Sequence, residues 1–218
     1  MVRTNDLFRD IPDCLASLFR DREYPWEVFR AFREYVDLLI EKGIPGFEEY
    51  SPGVLVGEGV RISDGVSITP PAIIGRNTEL RPGAYLRGYV VCGEGCVIGN
   101  STEVKNAILF DRVQIPHYNY VGDSILGCGS HLGAGSVCSN LKNDGTSVVV
   151  HADKDYETGL RKLGAILADG ANVGCGCVLN PGTVIGRGSA VYPLLSVRGC
   201  VPEDSIMKSV GNIVKKQK

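Results

Sequence analysis

The chain has 218 residues, 44% hydrophobic and 22% charged, which suits one large globular domain or one domain with a small appendage. A formal net charge of −2 leaves no basic footprint for nucleic acid, and no apolar run approaches the roughly 18 residues of a membrane span. The opening MVRTNDLFRD lacks the apolar core of a secretory signal, so a cytoplasmic protein is expected.

Residues 1 to about 45 read as helical. Pro12 and Pro25 each suit a first helical turn. A short helix from about Pro12 to Arg20 offers Cys14, Leu15, Leu18 and Phe19. After Pro25 a stripe of Phe29, Phe32, Val36, Leu39 and Ile40 predicts a second, with Gly43 as its stop. Two such helices cannot bury a core alone, so they are expected to pack on the next section or on a partner subunit.

From Val56 the period becomes six. Val56, Ile62, Ile68, Ile74, Leu80, Leu86, Cys92, Ile98 and Val104 stand six apart, and a small or β-branched residue follows each start by four, as at Ala72, Ala84 and Cys96. This is a hexapeptide repeat of a β-helix. Two units are shortened to five residues, Val104 to Leu109 and Val121 to Leu126. The phase breaks at Asn140, and residues 140–162 read as a polar loop thrown out of the helix. Leu167, Val173, Leu179, Ile185, Val191 and Val197 resume the period of six, Pro202 closes it, and SVGNIVKKQK reads as a loose basic tail. The expected organisation is a helical segment over 1–50, a β-helix over 51–202 and a tail over 203–218.

The repeat also accounts for most of the eight cysteines. Cys92 and Cys138 stand at interior starts, and Cys96 and Cys177 at small corners, where cysteine serves as a small hydrophobe. No pair has CxxC spacing, and three histidines are few for a zinc site, so no metal is expected.

The periodicity alone shows only the six; taken three to a coil, as such repeats imply by resemblance, and about 4.8 Å apart, the units gather reactive groups around Ile115 to Gly135. Glu103 and Tyr120 fall one coil apart, and Lys105 lies one coil from Arg87. His117 leads into that corner, with His131 at the other end of its face. An imidazole accepts a proton near neutral pH, and Lys and Arg hold phosphate. His151, in the polar loop, reads as solvated, and Asp123 as a turn residue.

The strings IGNSTEVKNA from Ile98, PHYNYVGDS from Pro116 and LGAGSVCSN from Leu132 resemble, in order and spacing, the acetyltransferase half of the bifunctional glucosamine-1-phosphate N-acetyltransferase and N-acetylglucosamine-1-phosphate uridylyltransferase family, which serves UDP-N-acetylglucosamine biosynthesis. The hexapeptide match covers roughly two thirds of the chain. The helical segment does not match, and no nucleotidyltransferase half is seen. The resemblance implies an all-β, left-handed parallel β-helix with a small N-terminal helical pair, assembled as a homotrimer with sites between subunits. It implies acetyl-CoA as co-substrate and a sugar phosphate as acceptor, with no metal needed.

By the same resemblance His117 is the general base. Tyr120 and Lys105 hold the amino-sugar phosphate, and Glu103 lies in the same patch. Asn140 opens the extruded loop, and Lys162 on that loop reaches an adjacent subunit. The backbone at Gly133 and Ala134, with Cys175 on a later coil, lies along the CoA arm. His131 stands where the family has a sugar-contacting Asn. The family's phosphate arginine sits in an RPG string, here Arg81-Pro82-Gly83, but Arg87 is the one eighteen residues before Lys105, so geometry favours Arg87 over Arg81. The expected function is an acetyl-CoA-dependent N-acetyltransferase for an amino-sugar phosphate. A non-catalytic, sugar-nucleotide-binding or scaffolding trimer that partners a separate nucleotidyltransferase is the alternative. A nucleotidyltransferase in its own right is disfavoured by the lack of a Gly-rich phosphate loop.

Overall fold

The computed structural model describes residues 2–217; Met1 and Lys218, the outermost residues of the opening and of the tail, lie outside them. From Val54 the chain winds into a left-handed parallel β-helix with three faces. Among the described residues the first face has nine strands, the opening one, Phe47–Ser51, antiparallel to Val54–Gly57. The second also has nine, the last, Asn212–Lys215, folding back on Ser205–Ser209. The third has seven, so the prism holds seven complete coils and part of another.

The repeat dictates this directly. Each hexad start points inward and stacks on its equivalent one coil away: Leu80 on Ile98, Ile98 on Ile115, Leu132 on Val173, Val173 on Val191. These interior side chains are fully buried or nearly so, and each contributes roughly 1.5–3 kcal/mol of transfer free energy. Cys92, Cys96, Cys138 and Cys177 belong to the same core, and all eight cysteines are free. Burial pushes the Cys96 and Cys138 thiols up to about 12, which leaves them inert.

The coil does not end at Pro202, and the residues expected as a loose tail form a hairpin. Ser205–Ser209 continues the second face, with Met207 stacked on Val191 and buried. Asn212–Lys215 then covers that edge, as Phe47–Ser51 covers the other. Both antiparallel flaps occupy strand edges that would otherwise be open to pairing.

The helical segment is larger than a pair. It comprises α1 (Thr4–Leu7), α2 (Asp13–Phe19), a 3-10 turn over Pro25–Arg30 and α3 (Phe32–Lys42). Gly43, at φ 71°, ends α3 as the sequence suggests. The segment packs on the outside of the first face. There, from the second strand to the eighth, the residue before each inward start points outward and is apolar: Leu55, Ile73, Val91, Ile108, Ile125, Ile166 and Val184, none more than 6% exposed. A face apolar on both sides needs a cover, and Leu7, Phe8, Leu15, Phe19, Trp26, Val28, Phe32 and Val36 supply it.

The loop over 140–162 folds back onto this cover. It contains a hairpin of Val149–His151 against Asp155–Glu157. Tyr156 packs on Tyr24 and Trp26, with ring centroids 5.2 and 6.0 Å apart. Val148, Val150 and Leu163 join the same apolar cluster.

The two five-residue units are both corners from the third face to the first. Each is turned by a single left-handed residue, Asn106 and Asp123, both at φ 47°. Asn and Asp tolerate this region because their short side chains can bond locally. The long loop leaves from the next position in that column, after Ser139.

Candidate active site

The corner between the second and third faces carries His117. It ends the strand Gln114–His117 and pairs with Asn100 one coil below. At Gly99 a Cβ would fall 1.6 Å from the Pro116 carbonyl oxygen, so only glycine lets Pro116 and His117 stack this closely. Above His117 the column continues through Ala134 and Cys175, linked by backbone bonds from Gly135 N–H to the His117 carbonyl (3.0 Å) and from Gly176 N–H to the Ala134 carbonyl (2.8 Å). His117, Ala134 and Cys175 are all exposed. Among the described residues nothing hydrogen-bonds the His117 ring; its backbone N–H donates to Asn119 Oδ1 at 3.2 Å. Gly133 must also be glycine, since a Cβ there would meet the Cys175 nitrogen at 2.5 Å. The result is a smooth strip of small residues rising from a free imidazole.

The third face holds the charged groups. Glu103 pairs with Tyr120, and Lys105 with Gly122. Leu86 pairs with Val104, which sets Arg87 beside Lys105 one coil below. Arg87 Nη1 lies 2.6 Å from Glu103 Oε1, and both are substantially exposed. Lys105 has no ion pair among the described residues. Tyr120 is half-buried, and burial, then the Glu103 and Asp123 carboxylates, raise its phenol above the usual value. Its hydroxyl accepts from Asn140 Nδ2 at 3.4 Å.

The other candidates lie apart from this group. Arg81 sits at the second-face end of its coil and pairs with Glu79 at 3.1 Å. His131 begins its strand, beside Gln114 rather than beside His117, and its Nδ1 faces Asn172 Oδ1 at 3.2 Å. Arg87, Glu103 with Lys105, His117 with Tyr120, and His131 thus span four successive coils. Lys162 is at the neck of the loop, bridged to Leu141, while Asn140 accepts from Leu163 N–H at 3.0 Å. His151 is held by Asp155, 2.6 Å away. Asp123 is a turn residue, as read, and also a hub: its carboxylate accepts from Asn106 Nδ2 at 2.8 Å and from Asn140 Nδ2. Asn106 carried no signal in the sequence beyond its place in a five-residue unit.

The chain matches a family model described as the GMPPB C-terminal domain over residues 68–154. It is 30% identical over 203 residues to a bifunctional protein GlmU from Methanococcus maripaludis, covering 92% of this chain and 49% of that protein. It is 32% identical over 174 residues to a bifunctional sugar-1-phosphate nucleotidylyltransferase/acetyltransferase from Sulfurisphaera tokodaii, covering 78% of this chain and 43% of that one. Among solved structures, the acetyltransferase domain of PglB from Neisseria gonorrhoeae, in complex with acetyl coenzyme A, aligns with a TM-score of 0.43 at 13% identity, covering 86% of this chain and 66% of the other. PerB from Caulobacter crescentus, in complex with CoA and GDP-perosamine, aligns with a TM-score of 0.41 at 17% identity, covering 67% and 52%.

The coil and its repeat define a hexapeptide-repeat protein of the left-handed β-helix class. More narrowly, the chain is a relative of the acetyltransferase half of the bifunctional GlmU proteins. It spans about half the length of these curated relatives. No helix among the described residues is long and apolar enough to cross a membrane.

Proposed function

We propose that the chain is an acetyl-CoA-dependent N-acetyltransferase acting on an amino-sugar phosphate of the glucosamine 1-phosphate type. The observation that carries this reading is the placement of His117. Its unengaged imidazole stands between a strip of small residues, suited to an extended thioester arm, and a face where Lys105, Arg87 and Tyr120 can receive a phosphate. The name of the Sulfurisphaera tokodaii relative, a bifunctional sugar-1-phosphate nucleotidylyltransferase/acetyltransferase, supports this reading.

The chemistry needs no covalent enzyme intermediate. The sugar amine attacks the thioester carbonyl while His117 takes the amine proton. The tetrahedral intermediate collapses with cleavage of the carbon–sulfur bond, giving the amide and the CoA thiolate, which is protonated on release. The group that takes the proton is the neutral imidazole. Single chains leave the third face open, and a homotrimer in which neighbouring chains close the site completes this reading.

Thiol release from acetyl-CoA with glucosamine 1-phosphate tests it. Lys105→Ala is expected to raise KM for the sugar phosphate by about 10- to 100-fold, the worth of a charge-assisted hydrogen bond, with KM for acetyl-CoA little changed. An unchanged sugar KM would remove Lys105 from the phosphate site. Arg87→Ala should also raise the sugar KM and Arg81→Ala should not, because Arg87 shares the third face with Lys105 while Arg81 pairs with Glu79 on the second. The opposite ranking would overturn this assignment.

A further inference from the structure

We infer that Arg33, on α3, is a positioning residue that sets Tyr120 and Asn140 through Asn106 and Asp123. This rests on the reading of Tyr120 as a substrate contact. The links are continuous. Arg33 Nε donates to Asn106 Oδ1 at 3.2 Å, and the guanidinium lies 4.9 Å above the Tyr89 ring. The Tyr89 hydroxyl in turn donates to Asp37 Oδ2, one turn along α3, at 3.3 Å, so the helix is tied to the corner at two points. Asn106 Nδ2 donates to Asp123 Oδ1 at 2.8 Å, and Asp123 Oδ2 accepts from Asn140 Nδ2. Asn140 Nδ2 also reaches the Tyr120 hydroxyl.

Each link has a direction. A side-chain amide has a donor end and an acceptor end. Because Arg33 can only donate, it holds Asn106 Oδ1 toward the helix and turns Nδ2 toward Asp123. Without Arg33 the buried Asn106 Oδ1 loses its donor, and the amide, held then by Asp123 alone, is free to shift within the corner and to move the carboxylate with it. Asn106 and Asp123 are buried, 8% and 6% exposed, so water does not readily replace a lost partner. With both Asp123 oxygens filled, Asn140 is fixed and gives a donor to Tyr120. The Tyr120 oxygen then accepts from the protein, and its own O–H is left to donate to a ligand on the Lys105 face. Gly122 makes room for this: a Cβ there would stand 2.6 Å from Tyr120 Oη and 2.7 Å from Asn140 Nδ2. The helical cover, which has no counterpart in the repeat, would thereby reach the site from the opposite side of the corner.

Arg33→Ala is compared with Arg30→Ala, a neighbour whose guanidinium goes instead to the Thr158 carbonyl. Arg33→Ala should raise KM for glucosamine 1-phosphate by about tenfold, the scale of one hydrogen bond, with kcat and Tm close to those of Arg30→Ala. The effect should largely vanish in a Tyr120→Phe background, since the two act through one hydroxyl. Arg33→Lys keeps a cation over Tyr89 but loses the Nε donor, and should retain stability while still raising the KM. Independently of turnover, NMR of the side-chain amides and tyrosine rings should show Asn106, Asn140 and Tyr120 signals shifted in Arg33→Ala and unmoved in Arg30→Ala. Unmoved Asn140 and Tyr120 signals in Arg33→Ala would overturn the inference. A wild-type chain without acetyl transfer would instead overturn the proposed function, with the NMR comparison still deciding the role of Arg33.

Discussion

His117→Ala is expected to lower turnover by about a hundredfold to ten-thousandfold, the usual worth of a general base. The assembly state and the thermal midpoint should stay at wild-type values. The reason is local. The His117 ring is exposed and makes no hydrogen bond among the described residues, so its removal leaves no buried group unsatisfied. Its backbone N–H still has Asn119, and the glycines at 99 and 135 still set the corner. Turnover retained in the variant at wild-type rate, measured as thiol release against pH, would remove His117 from the mechanism. His131→Ala makes a contrast. That ring bonds Asn172 and lies at the far end of its face, so its loss should alter acceptor preference at most.

The largest effect on stability should come from Phe110→Ala. Phe110 follows the first-face strand Ala107–Leu109, points outward and is fully buried. Its ring lies 4.8 Å from Phe8 and 5.4 Å from Phe19, so it joins the coil to the segments around α1 and α2. Truncating a buried phenylalanine costs about 3–5 kcal/mol. That loss should appear as a lower urea midpoint for the whole chain, in one transition, because the cover and the first face share a core. A cost under about 1 kcal/mol, on the scale of a surface change, would mean that the helical segment is bound loosely and is not part of that core.

Much of the coil was legible because six-residue spacing has a strong physical cause: one inward side chain per face, stacked without interruption. The five-residue units were visible too, but their meaning was not. A missing residue in a count does not say that Asn106 and Asp123 turn the corner, nor that their side chains then bond each other. The cover on the first face left a signal that the repeat obscured. Strands such as Ala72–Ile74 and Val90–Cys92 are apolar at three successive positions, where the third-face strands alternate, as in Tyr85–Arg87 and Glu103–Lys105. Three in a row marks a strand buried on both sides. The tail misled for the opposite reason: its lysines read as solvated, while the alternation around Met207 that continues the coil is only a few residues long. At the site, residues on one face of the repeat could be aligned by counting. Arg33 could not, since a helix packed across a corner has no register with the coil.

The acetyl transfer itself is tested most directly by incubating the wild-type chain with acetyl-CoA and a panel of amino-sugar phosphates, following free thiol and identifying the sugar product by mass spectrometry. The account predicts thiol release that depends on the amino sugar phosphate, with one N-acetylated sugar formed for each CoA freed. Thiol release without an acetylated sugar, or no release with any member of the panel, would contradict it.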